Sequence, residues 1–333
     1  MGFRMKIEFV DIQSKYRTRR YFILRMSQNT YFQQTHLKPI TYEAYNRKLH
    51  LWLSLLQQPS IVLLYTHPNY AIAMLRRHLV TTQSDTAVTI NSYIKAIMAA
   101  QVANVSLFSS IDKEKMAACD ARWRELRQQT YTEAFAYRLQ AKPSPLQALH
   151  TGVSLTFADL VEKRDALPNG SIHQLLLGFY TYLPPVRADY FATQILPFGI
   201  IPEQPNYIYH DATHSELVIT DFKTSHIYKK ITHILPPALH TLLQDSLAAK
   251  PRKYLFVNKF GEPFNRYTFS HWANQQLEII FKKGLTLTML RHMFISTIDF
   301  NRSTPEELQT IGHQMGHNIS QQLLYKWKAK EDS

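Results

Sequence analysis

Cysteine occurs once in the 333 residues, at Cys119, so no disulfide can close within the chain. A lone thiol of this kind reads as packing rather than chemistry. Glycine is nearly as informative by its scarcity, because after Gly2 none follows until Gly152. A stretch that long without glycine needs few left-handed turns and suits helices joined by polar connectors. No run of eighteen apolar residues is present, and the first twenty residues carry charges throughout where a signal peptide would be apolar. The expectation is a soluble, unexported protein. Acid is also short: 25 Asp and Glu face 38 Lys and Arg, for a net charge of +13.

That excess is unevenly spread. Residues 1–143 hold 20 basic and 9 acidic residues, +11, whereas residues 144–333 hold 18 and 16, +2. A basic first half favours a polyanion through counterion release, with a solvated face that binds acidic proteins as the bland alternative.

The length suggests two domains, each with material for a core. Residues 1–35 are basic and aromatic, with Lys15, Arg17, Arg19, Arg20 and Arg25 around Tyr16, Tyr21 and Phe22. They read equally as a DNA-contacting arm, a protomer-exchange segment or an extension with solvated charges. From Thr41, apolar residues recur at helical spacing through Tyr42, Tyr45, Leu49, Trp52, Leu53 and Leu56, and similar patterns cover 70–79, 88–102 and 113–139. Residues 36–143 are therefore expected to be an all-α bundle. Arg76, Arg77, Lys95, Arg122, Arg124 and Arg127 are its candidate phosphate contacts if they share a face, although helical charges are by default solvated. Ala141-Lys-Pro-Ser-Pro145 reads as an extended linker.

Residues 144–333 mix the two periods. Helices are expected over 156–166, 171–182, 239–247, 268–281, 288–300, 306–315 and 319–328. Runs at 207–209, 216–220 and 230–235, rich in Ile, Val, Tyr and Thr, predict a three-stranded antiparallel sheet. The fold class is mainly α with a small antiparallel sheet, a helical bundle followed by a mixed α+β domain.

Chemistry-bearing residues concentrate between Leu285 and Trp327. Cutting a DNA strand without metal needs a nucleophilic side chain, cations for the crowded oxyanion and an acid for the leaving 5′ oxygen. Tyrosine, arginine and lysine fit those jobs, and an arginine fork can hold two non-bridging phosphate oxygens at once. The stretch supplies Leu290-Arg291-His292, then Met315-Gly316-His317, then Tyr325. Each has a plainer reading. Arg291-His292 on an apolar helix can be a buried structural pair, and His313 with His317 can in principle hold zinc. Gly316 interrupts that helix, however, and no Cys or His-Glu-x-x-His accompanies it. No metal and no cofactor is expected.

The pattern resembles the C-terminal signature of the tyrosine recombinase (phage integrase) family, in wording similar to integrases of virophages and related mobile elements. That family also has an upstream arginine and a hairpin lysine. In GFYTYLPPVRADY, Arg187 follows a double proline and precedes Asp189, matching the first arginine. In ELVITDFKTSHIYKKITHILP, Lys223 stands between two strand-like runs, matching the lysine, although an exposed hairpin lysine is its ordinary reading. The match runs from about Ser144 onward. It departs at Thr288, where the family usually has histidine.

The resemblance implies a core-binding domain over 36–143 and a catalytic domain over 144–333. It further implies Tyr325 as nucleophile, Arg187 and Arg291 as phosphate clamps, Lys223 as general acid and His317 as a donor to the phosphate or a group that helps take the tyrosine proton. Asp189, Thr288 and His292 would support them, Asp189 by orienting Arg187, with Asp299 a weaker candidate of the same kind. The implied partner is double-stranded DNA, held by a homotetramer on paired sites, with no membrane, in the cytoplasm or nucleus of a host cell. A type IB topoisomerase shares the five-residue logic, and a DNA-binding relative that has lost the chemistry is the other alternative.

Overall fold

A computed structural model describes Phe32 and residues 39–56, 60–82, 86–139 and 155–326. The basic N-terminal segment, the Pro-rich linker and Trp327 therefore lie outside the described residues. The chain divides into two compact units between Phe135 and Ala136.

The first unit is helical: α1 Pro39–Ser54, α2 Ile61–Thr66, α3 Pro68–Thr81, α4 Ala87–Ala103 and the long α5 Lys113–Leu139, with a 3₁₀ turn at Val105–Phe108. Polar connectors start these helices as capping chemistry dictates. Ser60 and Thr86 each accept the N–H three residues on, and Pro68 opens α3 at a position whose N–H has no helical partner. The short α2 has no room for a periodic pattern, so periodicity does not reveal it.

Two tryptophans centre this unit. Trp52 and Trp123 are fully buried and meet edge to face at 5.9 Å. Trp52 Nε1 donates to the Ala71 carbonyl at 2.9 Å and Trp123 Nε1 to that of Tyr65 at 2.8 Å, so each ring is buried without stranding its donor. Cys119 is buried beside them, its thiol pushed up by burial, as a packing residue would be.

The second unit is organised around one helix. Its elements are α6 Phe157–Asp165, α7 Ile172–Thr181, α8 Ser225–Tyr228, α9 Pro237–Ala249, α10 Arg266–Phe281, α11 Leu287–Ser296, α12 Pro305–Gln314 and α13 Ile319–Tyr325. The strands are β1 Gln194–Leu196, β2 Asn206–His210, β3 Ser215–Ile219 and β4 Ile231–Ile234, in the order β1-β2-β3-β4. Every residue of α7 from Gln174 to Tyr180 is buried, the mark of a helix packed on all sides.

The sheet corrects the expected three antiparallel strands. β2, β3 and β4 are antiparallel as read, but β1 adds a fourth strand parallel to β2, pairing Gln194 with Tyr207, so the sheet is mixed. Three residues followed by Pro197 give no alternation to detect, and a parallel partner leaves no hairpin signal.

Helix α11 also stops at Ser296, short of the expected 300. Ser296 and Thr297 turn their hydroxyls back onto the carbonyls of His292 and Phe294, and the Asp299 carboxylate takes the Asn301 N–H. Such local bonds compete with helix continuation. Helix α13 ends at Tyr325 rather than at 328, with Lys326 already extended.

Candidate active site

Four of the five central candidates converge. The chain after α7 doubles back on that helix: the Tyr180 hydroxyl donates to the Arg187 carbonyl at 2.7 Å and the Tyr190 hydroxyl to that of Phe179 at 3.1 Å. Arg187 is thus fixed at its backbone by the most buried element of the unit.

Arg291 reaches the same place from α11. Thr286 caps that helix, its buried stripe runs through Leu287, Leu290 and Met293, and Arg291 itself is wholly buried. Its guanidinium donates to the Pro185 carbonyl at 2.6 Å, to that of Met315 at 3.3 Å and to His317 Nδ1 at 2.8 Å.

The turn between α12 and α13 sets His317. Thr304 and Glu307 form a capping box at the start of α12. At its end Gly316 takes φ +65°, with Gly316 N–H bonded to His313 and His317 N–H to Gly312, a Schellman closure. Gly312 is needed as well, since a Cβ there would stand 2.6 Å from the His317 carbonyl and 2.7 Å from Gln322 Nε2. Gln322, fully buried, ties α13 back to the Leu308 carbonyl at 2.7 Å, and Asn318 caps α13.

Tyr325 closes that short helix. His292 Nδ1 donates to its carbonyl at 2.6 Å, and its ring lies 4.6 Å from the His292 ring, 5.7 Å from the His317 ring and 5.3 Å from the Arg291 guanidinium carbon.

The electrostatics single this tyrosine out among the described residues. Burial pushes its phenol up, but the charges and hydrogen bonds of Arg291 and Arg187 outweigh burial, and the net shift is down. Among the described residues five other tyrosines shift, Tyr65, Tyr93, Tyr180, Tyr190 and Tyr207, all upward. Arg291 is lowered to about 10 by burial and then by Arg187, so it keeps its charge at neutral pH. His317 falls to about 3 by burial, then by the two arginines, and is therefore neutral. With Nδ1 accepting from Arg291, its proton sits on Nε2. That Nε2 and Arg291 Nε are both buried with no partner.

Among the described residues neither the Arg187 nor the Arg291 guanidinium makes an ion pair, buried Asp189 acts on both only through its charge, and two buried donors have no protein acceptor. Burial of unpaired polar and cationic groups costs several kcal/mol in general, a cost that a bound oxyanion relieves.

Lys223 is exposed in the loop between β3 and β4. Its neighbours anchor the loop to the His317 turn: Thr224 donates to the Gly316 carbonyl at 2.7 Å, and the Phe222 ring lies against Gly316, 3.2 Å from where a Cβ would be.

The supporting candidates divide. His292 holds the Tyr325 backbone, as described. Asp189 is buried and its Oδ2 accepts from the backbone N–H of Arg187 at 3.1 Å, while its ion pair is with Arg266 rather than with the Arg187 side chain. Thr288 is exposed in the first turn of α11. Asp299 is spent on its own turn and on Arg302, at 3.5 Å. His313 turns away from His317 to the Tyr228 carbonyl at 3.3 Å, and among the described residues no three His, Cys, Asp or Glu side chains form a metal-holding group.

In the first unit Arg77, Lys95 and Arg127 are exposed, whereas Arg76 faces Glu133, Arg124 faces Asp120 and Arg122 pairs with Glu125 at 2.6 Å. Sequence reasoning missed Asn206, Arg266, Gly312 and Gln322. Only Gln322 and Gly312 had a faint signal, a polar residue on the apolar stripe of one helix and a glycine inside another.

Burial of the site gives a stability prediction. His317 at about 3 and His292 and His233 at about 4 are all depressed, mainly by burial. The unfolded chain takes up protons near pH 6.5 that the folded chain refuses. Their contribution is therefore complete above pH 6.5 and is lost as pH falls toward 4 and then 3, by up to about 1.4 kcal/mol per pH unit for each histidine. Melting temperature should fall steadily from pH 7 to pH 5, and a flat or rising curve would contradict the buried neutral histidines.

No protein-family model matches the sequence, and no curated protein matches it. Solved structures do match. A crystal structure of a lambda integrase dimer bound to a COC′ core site is 14% identical, with a TM-score of 0.53 over 90% of this chain and 95% of that one. The Tn1549 transposon integrase in complex with transposon right end DNA is 16% identical, with a TM-score of 0.53 over 90% of this chain and 93% of that one. The fold is that of the tyrosine recombinases, a mainly helical chain with one small sheet.

Proposed function

We propose that the chain is a site-specific tyrosine recombinase that cleaves and rejoins DNA through a 3′-phosphotyrosine, for integration or excision of a mobile or viral element. The observation that carries this is the cationic pocket around Tyr325: Arg187, buried Arg291 and the His317 Nε2–H surround a phenol whose acidity is raised. Such a pocket suits an oxyanion held beside a nucleophilic oxygen.

In this reading the Tyr325 phenol gives its proton to solvent water, its oxygen attacks the scissile phosphorus and the bond to the 5′ oxygen breaks. The phosphoryl group passes to tyrosine and the proton from the Lys223 ammonium goes to the leaving oxygen. Arg187 and Arg291 hold the non-bridging oxygens and His317 Nε2 donates to one of them. The same steps reversed rejoin the strand, so no cofactor or metal is required. The solved relatives are described as a dimer on a core site and as a complex with transposon-end DNA. For this chain the proposed assembly is a homotetramer on paired duplex sites.

Among the described residues no helix is long and apolar enough to cross a membrane. The site of action is proposed to be wherever the target DNA lies, cytoplasm or nucleus.

The test is a paired-site recombination assay beside a supercoil-relaxation assay, on sites selected from a randomised duplex pool by adduct formation. Recombinant product supports the proposal. Relaxation without recombinants identifies a type IB topoisomerase, and binding with neither identifies a relative that has lost the chemistry.

Two smaller outcomes follow. Removing Arg77, Lys95 or Arg127 should weaken DNA binding for all sequences and flatten the slope of log affinity against log salt by about 0.9 for each phosphate no longer neutralised. Unchanged slopes would mean these cations face solvent. Thr288 is exposed, so Thr288→Val should cost less than about tenfold in single-turnover cleavage. A hydroxyl bonded to phosphate would instead cost one to two orders of magnitude, roughly 1.5–3 kcal/mol, and a loss above a hundredfold would contradict the expectation.

A further inference from the structure

Arg266 is the first residue of α10, where a cation opposes the helix dipole. Its guanidinium spans two acids far apart in the chain. One nitrogen pairs with Oδ1 of buried Asp189; the other donates at 3.1 Å to both the carbonyl and Oδ1 of Asp221. Asp189 stands two residues after Arg187, and Asp221 two residues before Lys223.

Asn206, itself buried, makes the same connection: its amide nitrogen donates to the Asp189 carbonyl at 2.9 Å and to the Asp221 carbonyl at 3.1 Å, while its oxygen accepts from the Thr220 and Asp221 N–H groups. A planar fork and a carboxamide thus clamp the base of the Lys223 loop to the Arg187 segment. On the far side of Lys223, Thr224 holds Gly316.

We infer that Arg266 is a positioning residue that acts through Asp221 to hold Lys223 over the scissile phosphate; the inference rests on the reading of Lys223 as general acid. The two arms of the fork are unequal in consequence. The Arg187 segment has ties that do not pass through Arg266, from Tyr180 to its carbonyl and from Arg291 to Pro185. Among the described residues, the side chains that bond to Asp221 are those of Arg266 and Asn206. Removing Arg266 therefore loosens the acid more than the phosphate clamp.

The experiment compares single-turnover cleavage of ordinary DNA with cleavage of DNA carrying sulfur in place of the 5′ bridging oxygen. A thiolate leaves without a proton, so a fault confined to the acid disappears on the sulfur substrate. Arg266→Ala should be slowed by roughly 10- to 100-fold on ordinary DNA, the range for a catalytic group displaced by about an ångström, and should come within about threefold of the unmutated protein on sulfur DNA. Asp221→Ala removes only an exposed carboxylate and should show a smaller loss with the same recovery, which decides the matter should Arg266→Ala fail to fold.

Lys223→Ala run in parallel separates the two levels. If Lys223→Ala recovers on sulfur and the Arg266 and Asp221 variants do not, the positioning inference is overturned and the acid assignment stands. If Lys223→Ala itself fails to recover, the acid assignment falls and the inference with it.

Discussion

Tyr325→Phe is expected to bind duplex DNA as the unmutated protein does and to form no covalent protein–DNA adduct. The substitution deletes one oxygen and leaves the ring, which packs beside His292, His317 and the Arg291 guanidinium. The backbone anchor from His292 uses the Tyr325 carbonyl and survives unchanged. Fold and DNA affinity should therefore persist while the attacking atom is gone. The effect on chemistry is close to total, because the neighbouring side chains offer no comparable nucleophile: the Arg291 guanidinium remains charged and the His317 Nδ1 lone pair is occupied by it. The measurement is an SDS-stable adduct on a nicked duplex that loses the cleaved strand and cannot rejoin. An adduct of undiminished yield would remove Tyr325 from its role.

Arg291→Met should separate function from stability in the opposite sense to an ordinary core substitution. If Arg291 were a buried structural residue, replacing it would cost the fold about 3–5 kcal/mol, typical of breaking a buried polar pair. Here the guanidinium has no carboxylate in contact among the described residues; it meets the carbonyls of Pro185 and Met315, the His317 nitrogen and the Tyr325 hydroxyl. Stranding those acceptors costs about 1–3 kcal/mol each, and removing a buried cation that Asp189 offsets only from beyond ion-pair distance returns several kcal/mol. The two nearly cancel, so the melting temperature of the DNA-free protein should move by only a few degrees. Cleavage should fall by roughly 10³-fold or more, about 4 kcal/mol of transition-state stabilisation, and should not recover on sulfur DNA, since the loss is of charge and not of a proton. An unfolded variant would favour the structural reading, and retained cleavage would exclude a phosphate clamp.

Much of the fold is legible in the residues alone, for physical reasons that differ by element. The helical first unit is legible because Trp52, Leu53 and Leu56 repeat at the helical period and glycine is missing, which local sequence records directly. The convergence of Arg187, Arg291, His317 and Tyr325 is expected through resemblance, and the folded chain brings them together through connections up to 106 residues apart, as from Arg291 to Pro185.

What sequence does not show are features made only by tertiary packing. Strand β1 is too short for a period. Gly312 matters only because His317 and Gln322 crowd it. Arg266 and Asn206 acquire their meaning from two distant segments, those of Asp189 and Asp221, that only the folded chain brings side by side. The resemblance has Asp189 orient Arg187; its carboxylate grips the Arg187 backbone and spends its ion pair on Arg266.

The most direct test is to digest the trapped adduct, identify the modified peptide by mass spectrometry and determine which end of the cleaved strand it carries. The expected product is a 3′-phosphoryl bond to Tyr325 with a free 5′-hydroxyl on the other fragment. Attachment through a 5′ phosphate, or to any residue other than Tyr325, would contradict it.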